Sequence, residues 1–187
     1  MPEAYLAGGT ALALHLAHRV SVHLDFFAPQ SFLAQDIRPR LVEAGHFEPI
    51  TVRDDSVVCS IDAVQWSLFR YEYPLMESPE TYAGIRIASV RDIAAMKVVA
   101  IGDRGSRKDF YDLYTILRFG GGDIRKILED AVSKFRLPQD NLYHYVRALT
   151  YFDDAIRTPD IQVMLRIDIR WPDVELFFRN LAKTLVS

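Results

Sequence analysis

Hydrophobic and polar positions follow two rhythms along this chain, a period near 2 over much of the first half and a period near 3.6 over the second. The apolar run at residues 4–7 ends in Gly8-Gly9, and Thr10 then opens a helical spacing through ALALHLAHR, so strand, tight turn and helix are expected in succession. VSVHLDFFA (20–28) is β-branched and aromatic with an alternating component, which predicts a strand closed by Pro29. Ser31 stands where it can cap a helix running toward Gly45, one that Pro39 must start, bend or interrupt. Residues 47–71 read as two or three strands, with RDDS (53–56) as the turn between the first two. A loop containing Pro74 and Pro79 leads to a short strand, GIRIA, and Ser89 caps the helix VRDIAAMKVVAI. Residues 102–106 interrupt that helix, and RKDFYDLYTILRF resumes the period up to the glycines at 120–122. Further helices are expected at 123–135, at about 139–150, and at 173–185 after Pro172. The pattern predicts an α/β front half, residues 1–89, followed by a helical part, residues 90–187.

Composition narrows the class. At 187 residues, 50% hydrophobic and 25% charged, the chain has the make-up of one globular domain with at most a small appendage, and not of a disordered tail or a collagen-like repeat. The formal net charge of −3 excludes a uniformly basic nucleic-acid binder. The charge is nevertheless uneven, with 6 Lys/Arg against 11 Asp/Glu up to residue 90 and 16 against 14 beyond it. The single Cys59 has no intrachain disulfide partner, and the apolar stretch at 4–17 is broken by Gly8, Gly9, Thr10 and His15. That stretch falls short of the ~20 residues of a membrane span, and Glu3 stands where a secretory signal carries positive charge. A cytoplasmic protein without a membrane segment is expected.

Several residues carry candidate chemistry. Gly8-Gly9-Thr10 lies where a strand turns into a helix, which suits a bound anion and equally suits a plain glycine turn with a threonine cap. His23 and Asp25, two apart, leave one face of their strand, and Asp25 among bulky apolar neighbours needs a partner or a metal. Asp62 in CSIDAV repeats the situation, and two such acids can converge on one divalent cation; a salt bridge or turn hydrogen bond explains either one alone. Lys97, Arg104 and Lys108 fall on one stripe if their helix is continuous, with Asp109 and Asp112 three apart as helical neighbours able to pair with it or buttress it, although a solvated charged face has the same spacing. A zinc or iron site from His15, His18, His23 and Asp25 is the alternative use of the histidines.

Taken in order, YLAGGTALALHLAHRVSVHLDFF (5–27), SID (60–62), YEYPLMESPETYAGIRIASVRDIAAMKVVAI (71–101) and DRGSRKDFYDLY (103–114) resemble the AbiEii/AbiGii toxin family of nucleotidyltransferases. The resemblance spans about residues 5–118. It implies the DNA polymerase beta-type nucleotidyltransferase fold, an α/β (α+β) mixed sheet with flanking helices, followed by a helical C-terminal part. It also implies transfer of a nucleoside monophosphate from a nucleoside triphosphate to an acceptor hydroxyl, on a tRNA end or a protein, with Mg2+ (or Mn2+) as cofactor and a cognate antitoxin as partner. By the same resemblance Gly8, Gly9 and Thr10 hold the triphosphate, His23 and Asp25 match the D-x-D metal pair, and Asp62 matches the third carboxylate, metal ligand and candidate base. Lys97 matches the lysine near the phosphates, and Arg104, Lys108, Asp109 and Asp112 match the basic and acidic helical motif. Two magnesium ions about 3.5–4 Å apart explain why such a site gathers carboxylates. The sequence departs from the pattern at His23, where an imidazole replaces the first carboxylate. Two other functions are therefore carried beside catalysis: a degenerate member that binds nucleotide without strong transfer, and a module whose main task is binding the antitoxin.

Overall fold

The computed structural model describes residues 3–138, 141–159 and 168–186. Contacts divide the chain into two compact units, one running to Ala11 and resuming at Ser21–Ser89, the other taking Leu12–Val20 and everything from Val90.

The first unit holds β1 (Tyr5–Ala7), β2 (His23–Ala28), β3 (Phe47–Arg53), β4 (Ser56–Ile61), β5 (Val64–Arg70), β6 (Glu80–Tyr82) and β7 (Ile85–Ile87). Among the described residues they form one seven-stranded sheet in the order β3-β4-β5-β2-β1-β7-β6. The pairs β2/β5 and β1/β7 are parallel and the others antiparallel. Helix α2 (Ala34–Ala44) covers one face, where Ile37 and Leu41 pack with Ala28, Val57, Cys59, Trp66 and Leu68. Strand alternation then sends His23, Asp25 and Phe27 to the opposite face. Cys59 is buried, and burial pushes its thiol up, which leaves it inert.

Around this sheet the structure moves two expected boundaries and adds one strand, each for a local reason. Helix α1 (Gly8–Leu16) begins at the glycines and not at Thr10, because Gly8 takes φ +70° and turns the strand straight into the helix. Helix α2 starts at Ala34 and not after Ser31, since the β3–β4 turn supplies the cap: Asp54 accepts from Ala34 N at 2.9 Å and Asp55 from Phe32 N at 2.9 Å. Ser31 itself donates to Asp55 at 2.8 Å. Strand β6 was hidden between Pro79 and the turn at Ala83-Gly84, where both residues have positive φ and fold it back on β7.

The second unit contains α3 (Val90–Arg104), α4 (Arg107–Phe119), α5 (Ile124–Phe135), α6 (Asn141–Ala148), α7 (Asp153–Arg157) and α8 (Trp171–Val186). Its core centres on Phe110, whose ring lies 5.1 Å from Phe152, 5.8 Å from Trp171 and 5.3 Å from Phe178. The break between α3 and α4 is narrower than the expected 102–106, falling at Gly105 and Ser106; a Cβ at Gly105 would stand 2.9 Å from the Phe110 ring. Residues 139–140, which begin the helix expected at about 139–150, lie outside the described residues.

Candidate functional site

In the first unit the site is built where β1 hands the chain to α1. Ala7 pairs with Asp25 across β1/β2, and Asp25 pairs with Ser67 across β2/β5, so the three stand in one row across the sheet. Ser67 is buried and its hydroxyl donates to Asp25 Oδ1 at 2.6 Å. Gly8 is required by its φ of +70°, and a Cβ placed there would only touch the carboxylate, 3.4 Å from Asp25 Oδ2, so the turn runs alongside Asp25. The first backbone N–H groups of α1 are unpaired within the helix and carry the positive end of its dipole. The Thr10 hydroxyl is already engaged and not free as a phosphate donor: it donates to the His23 carbonyl and meets Ser21 Oγ at 2.9 Å, fixing the entry to β2.

Asp62 is not part of this group. Strand β4 ends at Ile61, and Asp62 and Ala63 form the tight turn into β5, with φ of 49° and 64°. The local pattern CSIDAV hides this, because an aspartate tolerates the left-handed conformation that such a turn demands. The Asp62 side chain is exposed and accepts from His46 N at 2.9 Å. The residue that does stand beside Asp25 on the later strand is Ser67. Register decides this, and the strand alone gives no sign of it. Asp62→Ala is expected to leave phosphate binding unchanged while lowering stability by about 1 kcal/mol through the lost turn hydrogen bond; titration with inorganic triphosphate and a thermal melt check the two halves.

The expected cation and histidine groupings are also divided. In the second unit Lys97 is buried, with its ammonium 2.8 Å from Asp109 Oδ1 and 2.7 Å from Asp112 Oδ2. Arg104 and Lys108 are exposed on different helices, so the three make no single stripe. His18 Nε2 donates to Asp112 Oδ1 at 2.7 Å, and Arg19 grips the same carboxylate at 2.6 and 2.9 Å. His18 is thereby spent on an ion cluster, and among the described residues no group of three His, Cys, Asp or Glu side chains is placed to hold a metal ion. Burial alone would raise Asp112, but Lys97, Arg19 and His18 hold its carboxyl far below the usual range. Burial likewise opposes charge on Lys97, and Asp112 and Asp109 more than reverse it. Asp109 adds a local role, closing a capping box with Ser106 at the start of α4. The pairing of Asp109 and Asp112 with Lys97 is among the expected options, whereas the Ser67 contact and the approach of His18 and Arg19 to Asp112 are not read from the sequence, since they depend on residues 42 to 94 positions apart.

The family model described as nucleotidyl transferase AbiEii toxin, type IV TA system, matches residues 58–177. An uncharacterized protein of Aquifex aeolicus (strain VF5) is 37% identical over 183 residues, which cover 96% of this chain and 86% of that one. Among solved structures, the nucleotidyltransferase toxin MenT4 of Mycobacterium tuberculosis H37Rv aligns over 98% of this chain and 75% of its own, with a TM-score of 0.60 and 16% identity. JHP933 of Helicobacter pylori aligns over 99% of this chain and 86% of its own, with a TM-score of 0.51 and 16% identity. At such identities these two structures share the fold, a mixed sheet with flanking helices. Among the described residues no helix is long and apolar enough to cross a membrane.

Proposed function

The chain belongs to the AbiEii nucleotidyltransferase toxin family, and from that premise we propose that it holds a nucleoside triphosphate with the phosphates against Gly8-Gly9 and with Asp25 as the one carboxylate at the reacting end. The observation that carries this is the Asp25 row: a glycine turn at a helix N-terminus on one side of the acid and the Ser67 hydroxyl on the other. The residues present do not fit a two-magnesium centre. His23 stands in place of one acid, Ser67 occupies the position beside Asp25, and Asp62 belongs to a turn. One imidazole and one carboxylate offer fewer hard oxygen ligands than magnesium takes. Nucleotide binding is therefore the retained property, and magnesium- or manganese-dependent transfer of a nucleoside monophosphate to a hydroxyl of tRNA or protein is weakened. A cognate antitoxin is the proposed macromolecular partner, on the strength of the type IV toxin-antitoxin family.

Asp25→Asn tests the placement. In the absence of metal a carboxylate beside bound phosphates repels them, so the neutral amide should raise affinity for a nucleoside triphosphate several-fold in EDTA. Calorimetric titration of both proteins reads the difference, and equal or lower affinity in the variant would put the phosphates elsewhere.

A further inference from the structure

We infer that the nucleoside end of the same nucleotide lies in a cleft beside β1, its base against the ring of Tyr73, which ends a row of packed aromatic rings; this rests on the phosphates occupying the Gly8-Gly9 turn. The cleft has a volume of about 410 Å³ and is walled by Tyr5, Pro29, Tyr73, Leu75, Met76 and Arg86. Its size falls in the range of small-ligand pockets, roughly 300–1,000 Å³.

Strand register places the cleft on the same face of the sheet as Asp25. Tyr5 pairs with Phe27, two residues beyond Asp25 on β2, and their rings stack 6.0 Å apart. Ile87 pairs with Leu6, which sends Arg86 to the Tyr5 side, where it meets Glu3 at 3.7 Å. From Phe27 the ring row continues to Tyr71 at 4.9 Å and from there to Tyr73 at 5.2 Å. At about 3.3 Å per residue, Phe27 lies ~7 Å and Pro29 ~13 Å along the chain from Asp25. The order on this face is thus glycine turn, acid, aromatic row, cleft. A nucleotide has the same order of parts: outer phosphates, reacting phosphate, sugar, base. An aromatic face such as that of half-exposed Tyr73 holds any base by stacking, and the Arg86–Glu3 pair lining the cleft offers both a donor and an acceptor to a base edge.

The experiment is calorimetric titration of the full chain with ATP, GTP, CTP, UTP and inorganic triphosphate, repeated on Ser78→Trp and Tyr73→Ala. Ser78 is exposed and lines the cleft, so an indole there fills the cavity without touching the core; circular dichroism verifies the fold. At least one nucleoside triphosphate should bind about tenfold or more tighter than inorganic triphosphate. Both variants should lose that advantage and keep the inorganic triphosphate affinity. Variants that bind nucleotides as the parent does overturn the cleft, as does a parent that binds nucleotide no better than triphosphate. If nucleotides bind and Ser78→Trp blocks them while inorganic triphosphate fails to bind, the cleft stands and the phosphate placement falls; if nothing binds, both fall.

Discussion

Asp112→Ala is expected to lower the free energy of unfolding by about 3–5 kcal/mol, the range for removing one partner from a buried ion cluster. The reason is arithmetic of charge in a dry place. Asp112 is fully buried and faces Lys97, Arg19 and His18, while Asp109 is the other acid on Lys97. Without Asp112, Arg19 loses its carboxylate partner and Lys97 keeps only Asp109. An exposed pair such as Arg170–Asp173, at 3.1 Å, provides the contrast: Arg170→Ala should cost less than about 1 kcal/mol. Urea unfolding of the three proteins measures both effects. The pH dependence has a definite sign. Asp109 and Asp112 have lowered folded values, so their contribution is present above the ordinary carboxylate pKa near ~4 and fades as pH falls through those lower values. Lys97 has a raised value, so its contribution is present below its ordinary ~10.4 and fades as pH rises past the folded one. The gap between parent and Asp112→Ala should therefore be widest near neutrality and shrink in acid.

Restoring carboxylates should do the opposite to function. His23→Asp, alone and together with Ser67→Asp, is expected to create magnesium-dependent activity that the parent has only weakly. Ser67 Oγ already stands 2.6 Å from Asp25 Oδ1, so an acid there lies within bridging distance of a shared cation. Metal stabilisation of developing charge contributes several kcal/mol, which corresponds to a gain of about 10²–10³-fold in rate. Pyrophosphate release from nucleoside triphosphate in the presence of RNA reports the rate. The magnesium-dependent increment in nucleotide affinity reports the metal site separately. Unchanged behaviour in both variants would mean that His23 and Ser67 are not what limits the centre.

Much of the architecture was legible because it is written in local rules. Period-2 alternation marked β2 and the β3–β5 meander, the Gly8-Gly9 pair marked the strand-to-helix turn, and the glycines at 120–122 ended α4 as expected. Asp25 was legible too, since an acid among Leu24, Phe26 and Phe27 demands a partner. The partner itself was not legible. Ser67 reaches Asp25 through a parallel β2/β5 pairing that no turn between adjacent strands dictates. Asp62 misled for the converse reason: a tight turn and a strand interior accept the same three letters, and only the backbone dihedrals separate them. Lys97 in AAMKVVA stands in an apolar setting and pairs with Asp109 and Asp112, as the sequence allows; what the sequence does not show is that the pair sits beyond a break at Gly105 and Ser106, which leaves Arg104 and Lys108 out of the group.

The most direct measurement is calorimetric titration of the unaltered chain with a nucleoside triphosphate, once with magnesium and once with EDTA. Binding is expected in both, with magnesium changing the affinity by less than about tenfold, or ~1.4 kcal/mol, because Asp25 alone supplies the carboxylate. Binding that requires magnesium outright would show a complete metal centre, and absence of binding under either condition would show that Gly8-Gly9 holds no nucleotide.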